Sequence, residues 1–166
     1  MKRIMIIGCP GSGKSTLSKQ LAMKLKLPLV HLDQIYWKSN WQPISDELFD
    51  ELLLHEVQKD EWIIDGNYNR TISIRLEACD TIIYLDYHRM ICLLGVIKRV
   101  IKGYGKTRED MGENCPERLD PDFLKYVWTF NRSKRAEYLD LLSHQQNKQV
   151  IIFRHRRDGA KFIRDL

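Results

Sequence analysis

Long apolar runs, closely spaced cysteines and low-complexity tracts are all missing from this 166-residue chain. The longest apolar run, Ile91 to Ile97, falls far short of the roughly 18 residues a membrane-crossing helix needs, so no span is expected. Cys9, Cys79, Cys92 and Cys115 include no CxxC pair. That spacing argues against a cysteine-held zinc site, and the four read as incidental. Nine glycines and five prolines are too few for a fibrous or disordered chain, and 43% hydrophobic with 30% charged residues is an ordinary globular composition. The apolar stretch after Lys2 and Arg3 ends at Ile7 with no small-residue cleavage site behind it, so no export signal is expected. The default compartment is then the cytoplasm, where thiols stay reduced. Charge of one sign is in small excess, with 27 Lys plus Arg against 22 Asp plus Glu, a net +5. Such an excess fits either a solvated surface or an anionic substrate, and position has to decide between them.

What is present is an alternation of short apolar runs with longer segments of helical period, the pattern of a parallel sheet covered by helices on both faces. Strands are expected at Arg3 to Ile7, Leu29 to Leu32, Trp62 to Ile64, Thr81 to Leu85 and Gln149 to Phe153. None alternates cleanly with polar residues, as befits strands buried on both sides. Helices are expected at Lys14 to Lys26, Ser45 to Lys59, Ile72 to Ala78, Met90 to Lys102, Pro121 to Ser143 and Asp158 to Arg164. Gly103 to Asp120 has no apolar periodicity and is rich in glycine and charge. It is too long for an ordinary connection and reads as a mobile lid on a single domain, residues 1–166.

Gly8-Cys9-Pro10-Gly11-Ser12-Gly13-Lys14-Ser15-Thr16 satisfies GxxxxGK[ST] between an expected strand and an expected helix. In that context the glycines let backbone N–H groups turn toward a phosphate, Lys14 reaches the β and γ oxygens, and Ser15 offers its hydroxyl to Mg²⁺. The helix N-terminus adds its positive end. A carboxylate at a neighbouring strand end should complete the metal shell. Asp86 closes TIIYLD and Asp65 closes WIID, both at the sheet edge where ligands bind in open α/β sheets. Asp86 is slightly preferred for the metal, and Asp65-Gly66 is also a common turn pair.

With GCPGSGKSTL, HLDQIYWKSNW at 31–41, DGNYNRT at 65–71, TIIYLD, Arg99 and Arg108, the chain resembles the adenylate kinase-like small P-loop kinases, and within them the DNA topology modulation proteins. The resemblance covers essentially the whole chain. It implies a three-layer P-loop NTPase fold, a five-stranded parallel sheet ordered 2-3-1-4-5 with a short lid, and ATP- and Mg²⁺-dependent phosphotransfer. It implies no defined acceptor. By analogy with DGxxRT of adenylate kinases, Arg70 would hold an acceptor phosphate, although the string here is one residue longer and also brings Tyr68 to the acceptor side. His31-Leu32-Asp33 replaces the usual monophosphate signature and is similar to the acceptor-binding acid of small-metabolite kinases.

Phosphoryl transfer needs cationic clamping of the migrating group, and Arg99, Arg108, Arg132 and Arg135 cluster in sequence around the lid. Singly each also reads as a solvated surface arginine. Asp33 can orient a substrate hydroxyl or cap a helix. Trp37, with Tyr36 and Trp41, can stack on a flat acceptor or serve as local core. The basic run Arg154 to Gly159 fits an adenine site or, as the competing reading, a nucleic-acid patch of a nucleotide-dependent DNA-binding regulator. The expected partner is a small-molecule phosphate acceptor, with nucleic acid as second choice.

Overall fold

A computed structural model describes residues Met1–Leu166. The chain begins with β1 (Arg3–Gly8), in which Ile4 to Ile7 are completely buried, so the strand must lie at the centre of a sheet covered on both faces. α1 (Lys14–Leu25) follows, closed by Lys26 in a left-handed conformation ahead of Pro28. Then come β2 (Leu29–His31), the short α2 (Leu32–Tyr36), a two-stranded ribbon of β3 (Trp37–Lys38) and β4 (Gln42–Pro43), and α3 (Asp46–Val57). β5 (Trp62–Asp65), α4 (Ile72–Ala78), β6 (Thr81–Leu85) and α5 (Arg89–Gly103) precede the long loop, after which α6 (Pro121–Ser133), α7 (Arg135–Ser143), β7 (Gln149–Phe153) and α8 (Arg156–Asp165) complete the chain.

The five main strands are all parallel and lie in the order β2-β5-β1-β6-β7, which is 2-3-1-4-5 when the sheet strands are counted along the chain. Ile4 sits between Ile63 on one side and Thr81 on the other. The chain leaves β1 toward one edge, returns, and then builds the opposite edge, so the strand order reverses at β1. Ligand crevices form at such a reversal, outside the carboxyl ends of the strands. α1 packs on β1, β2, β5 and α8, while α5 packs on α6. Trp62, Tyr84, Tyr138, Phe49 and Phe130 are the bulkiest apolar side chains of the core, and the Trp62 indole N–H donates to Val57 O at 3.3 Å. The four cysteines are free and buried.

Three local features differ from expectation. The helix expected over Pro121 to Ser143 breaks at Lys134, where φ is −121°. Thr129 and Ser133 hydroxyls there donate back to the carbonyls of Lys125 and Thr129, which loosens the last turn of α6. Second, the strand expected to reach Leu32 stops at His31, and Leu32 begins α2. Third, the β3-β4 ribbon carries no glycine; Asn40 and Trp41 take its positive φ angles of 61° and 60°, so the usual turn signal is absent.

Candidate active site

The loop after β1 is shaped by contacts that only glycine permits. Gly11 has φ of 79°, and a Cβ on it would lie 2.2 Å from Cys92 O, while a Cβ on Gly95 would lie 2.1 Å from Gly11 O. Loop and α5 therefore touch backbone to backbone. Gly13 starts α1 in the left-handed region, and Lys14 Nζ donates to the carbonyls of Gly8 (3.0 Å) and Cys9 (3.3 Å). The loop is held at its start by Asn67, whose Oδ1 accepts from Gly8 N at 3.0 Å.

Asn67 is placed by a residue with no motif around it. Arg75 of α4 is fully buried, and its guanidinium donates to the carbonyls of Gly66, Asn67 and Tyr68. Burial lowers its pKa to about 10, so the three carbonyls face a cation at neutral pH. The turn they belong to includes Gly66 at φ 147° and Tyr68 at φ 34°, a conformation that needs such bracing. Braced this way, the Tyr68 hydroxyl donates to Asp33 Oδ1 at 2.7 Å. Burial pushes the Asp33 carboxyl above the ordinary carboxylate range, the neighbouring Asp65 charge adds to this, and the Tyr68 hydroxyl opposes it. His31 Nδ1 donates to Asp65 Oδ2 at 3.0 Å, Ser18 lies 3.5 Å from the same oxygen, and Asp65 Oδ1 is buried without a partner.

Gly103 closes α5, and the loop from Tyr104 to Asp120 forms no helix or strand, yet it is tied down. Gly105 N donates to Glu117 O and Glu117 N to Lys106 O. Beyond these, the loop meets the β3-β4 ribbon: Asn40 N donates to Asn114 O (3.0 Å), the Trp41 indole donates to Pro116 O (3.2 Å), and Gly112 packs on the Trp37 carbonyl. Asp110, Met111, Cys115 and Glu117 are buried. Glu117 lies 3.0 Å from Arg99 Nε and also against Arg108, which in turn donates to Asp110 at 2.7 Å. Burial raises the Asp110 carboxyl, but the Arg108 guanidinium and the Ser15 hydroxyl outweigh it and hold the group below its usual range. Burial and the adjacent Arg108 lower the Arg99 pKa. Sequence reading overlooked Asp110, Glu117 and Arg75. For Arg75 the signal was a lone cation inside the apolar α4.

One cleft of about 1260 Å³ receives most of these groups. Its lining includes Pro10 to Thr16 from the phosphate loop, and also Asp33, Trp37, Asp65, Tyr68, Arg99 and Arg108. Gly8 underlies the loop at the end of β1. Four expected site residues lie elsewhere. Arg70 donates bidentately to Asp50 at 2.7 and 2.8 Å and is absent from the cleft lining. Asp86 is matched by Arg135 in the same two-point fashion at 2.7 and 2.8 Å, and neither lines the cleft. Arg132, near the end of α6, does not line it either.

No family model matches the chain. Over 85 residues it is 33% identical to a protein described as adenylate kinase isoenzyme 6 homolog from Caenorhabditis elegans, a match spanning 51% of this chain and 42% of that relative's length. The whole backbone superposes on two solved shikimate kinases. For the Bacteroides thetaiotaomicron structure the TM-score is 0.59 at 18% identity, covering 99% of this chain and 95% of that one. The Acinetobacter baumannii structure, in complex with shikimate, gives 0.64 at 13% identity, covering 99% and 90%. The chain has the fold of the small P-loop kinases. At these identities the superposition speaks for architecture, and the chemistry rests on the cleft.

Proposed function

We propose that this protein is an ATP-dependent phosphotransferase that moves the γ-phosphoryl group of a bound nucleotide to a hydroxyl of a small molecule. The observation that carries this is the shared cleft: the phosphate loop with Lys14 and the partly shielded carboxylate of Asp33 open into one space large enough for two substrates. The partial adenylate kinase match and the shikimate kinase architecture are consistent with it.

In this reading the loop amides from Pro10 to Thr16 and Lys14 hold the donor phosphates. Arg99 and Arg108 line the cleft on the lid side; their Nε atoms face Glu117 and Arg108 also donates to Asp110, which leaves the remaining guanidinium N–H groups for an oxygen of the transferring group. Asp33 accepts the proton of the attacking hydroxyl, a role that suits a carboxyl whose pKa is raised. Ser15 and the unpartnered Oδ1 of Asp65 are an oxygen donor set of the kind Mg²⁺ takes, with Asp110 beside Ser15 as a further carboxylate. Asp86 is less suited, because Arg135 already occupies both of its oxygens. Bound there, Mg²⁺ would offset the phosphate charge. Arg132 and Arg135, outside the cleft, have no part in this scheme.

The test is acceptor-dependent ADP release. Wild-type protein with Mg-ATP should release ADP faster when the right alcohol is added, and Asp33→Asn should lower that kcat by about 100-fold or more, the usual scale of a lost general base, while retaining ATP affinity. A protein that hydrolyses or ignores ATP regardless of acceptor, but binds duplex DNA with steep salt dependence, would instead be a nucleotide-dependent regulator.

A further inference from the structure

The charge arrangement of the cleft constrains what the acceptor can be. The phosphate loop divides the cleft at β1, the central strand. Toward β6 and β7 lie Gly95, Lys98 and Arg156, the last donating to Gly11 O; toward β2 and β5 lie Asp33, Asp65, Tyr68, Trp37 and Trp41. The second half is where an acceptor has to sit if the first half takes the nucleotide.

The cations near that second half are paired, screened by solvent or committed to the phosphoryl group. Arg70 is outside the cleft and occupied by Asp50, and Arg75 is buried behind the turn with its guanidinium spent on three carbonyls. Lys19 is paired with Glu109 at 2.8 Å. Arg118 rests over the Trp41 ring and 3.9 Å from Asp120 with its side chain 61% exposed, where solvent screens it. Arg99 and Arg108 already face Glu117 and Asp110, and their remaining capacity belongs to the migrating phosphoryl group. What the acceptor meets is the Asp33 carboxylate, Asp65 being left to the metal, and an aromatic wall, from Trp37 and Trp41 with ring centroids 5.7 Å apart.

A phosphate or carboxylate brought into this half would be pressed against like charge in a partly desolvated space, which is how a site rejects a wrong ligand. A ring with hydroxyls suits it: the ring face lies on indole and the hydroxyl reaches Asp33. We infer that the acceptor is a ring-bearing alcohol with no phosphate or carboxylate of its own, a neutral sugar or a nucleoside, and not a nucleoside monophosphate. The inference rests on the phosphotransferase reading. In the step it describes, the acceptor oxygen forms a bond to the γ-phosphorus, the bond from that phosphorus to the β,γ-bridging oxygen breaks, ADP leaves, and the hydroxyl proton passes to Asp33 and then to solvent.

Matched pairs test it: nucleosides against their 5′-monophosphates, and neutral hexoses and cyclitols against sugar phosphates and sugar acids. Each pair is assayed for ADP release and for quenching of tryptophan fluorescence in the presence of a non-hydrolysable ATP analogue. The uncharged member is expected to exceed its anionic partner in kcat/KM by about tenfold or more, and Asp33→Asn should narrow the preference in binding. The nucleoside and sugar arms separate the two sources. Preferential turnover or binding of a monophosphate or acid overturns the inference, and so does failure of every neutral arm in both readouts. If the ATP analogue itself does not bind, the phosphotransferase reading fails first, so the two failures are distinguishable.

Discussion

Asp33 is placed under two opposed demands, and both can be measured. Its pKa is raised in the folded protein, chiefly by burial, so the native state disfavours the charged form. An acid shifted upward contributes its full share of stability below its unfolded pKa, roughly 3.9, and loses it as pH rises through the folded value. As pH rises toward neutrality Asp33 therefore costs stability. Asp33→Asn should melt higher than wild type at pH 7, with the difference closing toward pH 3.5, while acceptor-dependent turnover collapses. The acid limb of the wild-type kcat/KM profile should lie above the ordinary carboxylate range; a limb at or below it would remove Asp33 from the role of base. Asp86 makes the contrasting case. Arg135→Ala should destabilise by about 1–3 kcal/mol, because a nearly buried carboxylate loses its partner, yet leave ATP affinity within about twofold. A large loss of affinity would return Asp86 to the metal site. The slight preference for Asp86 over Asp65 had little behind it, because WIID and TIIYLD look alike in the sequence; what distinguishes them is an arginine 49 residues further along the chain in one case and an unpartnered oxygen in the other. Lys14 and Ser15 were legible because their pattern is local.

At the scale of elements, the contact between the phosphate loop and α5 is the most exacting. Gly95→Ala would place a methyl 2.1 Å from Gly11 O, so the loop must shift, and ATP affinity should fall by at least about tenfold while far-UV circular dichroism keeps its helical signal. Unaltered affinity would mean that the loop adapts freely. The Gly103–Asp120 segment is held by the Glu117 ion pairs and the β3-β4 ribbon, so we propose that it acts as a lid that starts from a tethered position. Its amides at Gly105 and Glu117, both hydrogen-bonded, should exchange slowly even without nucleotide, and Glu117→Ala, which leaves Arg99 and Arg108 facing each other, should speed them. Equal exchange in the variant would show that the ion pairs do not hold the lid. Helices and strands of strong period fell within a few residues of where the sequence put them, and Thr81–Leu85 and Ile72–Ala78 coincide with the expected bounds. The ribbon was invisible because Asn40 and Trp41 make its turn without glycine. The α6–α7 break at Lys134 was invisible because no glycine or proline marks it.

For the whole molecule, the sheet order that the motif resemblance implied is the one the chain adopts. The half of the cleft proposed for the acceptor was not legible. Its character depends on which arginines are already matched, and that follows from pairings between distant segments such as Arg70 with Asp50 and Arg99 with Glu117. The net charge of +5 is likewise uninformative until these pairings are known. What everything else depends on is that the loop from Pro10 to Thr16 binds a nucleotide triphosphate through Lys14. Isothermal calorimetry of Mg-ATP against the wild-type protein and Lys14→Ala, with circular dichroism to confirm that both are folded, tests it directly. Binding by the wild type is expected, with a loss of about 100-fold or more in the variant, as befits removal of a charge-assisted contact to phosphate. Equal affinity in the two folded proteins, or no binding by either, would contradict it.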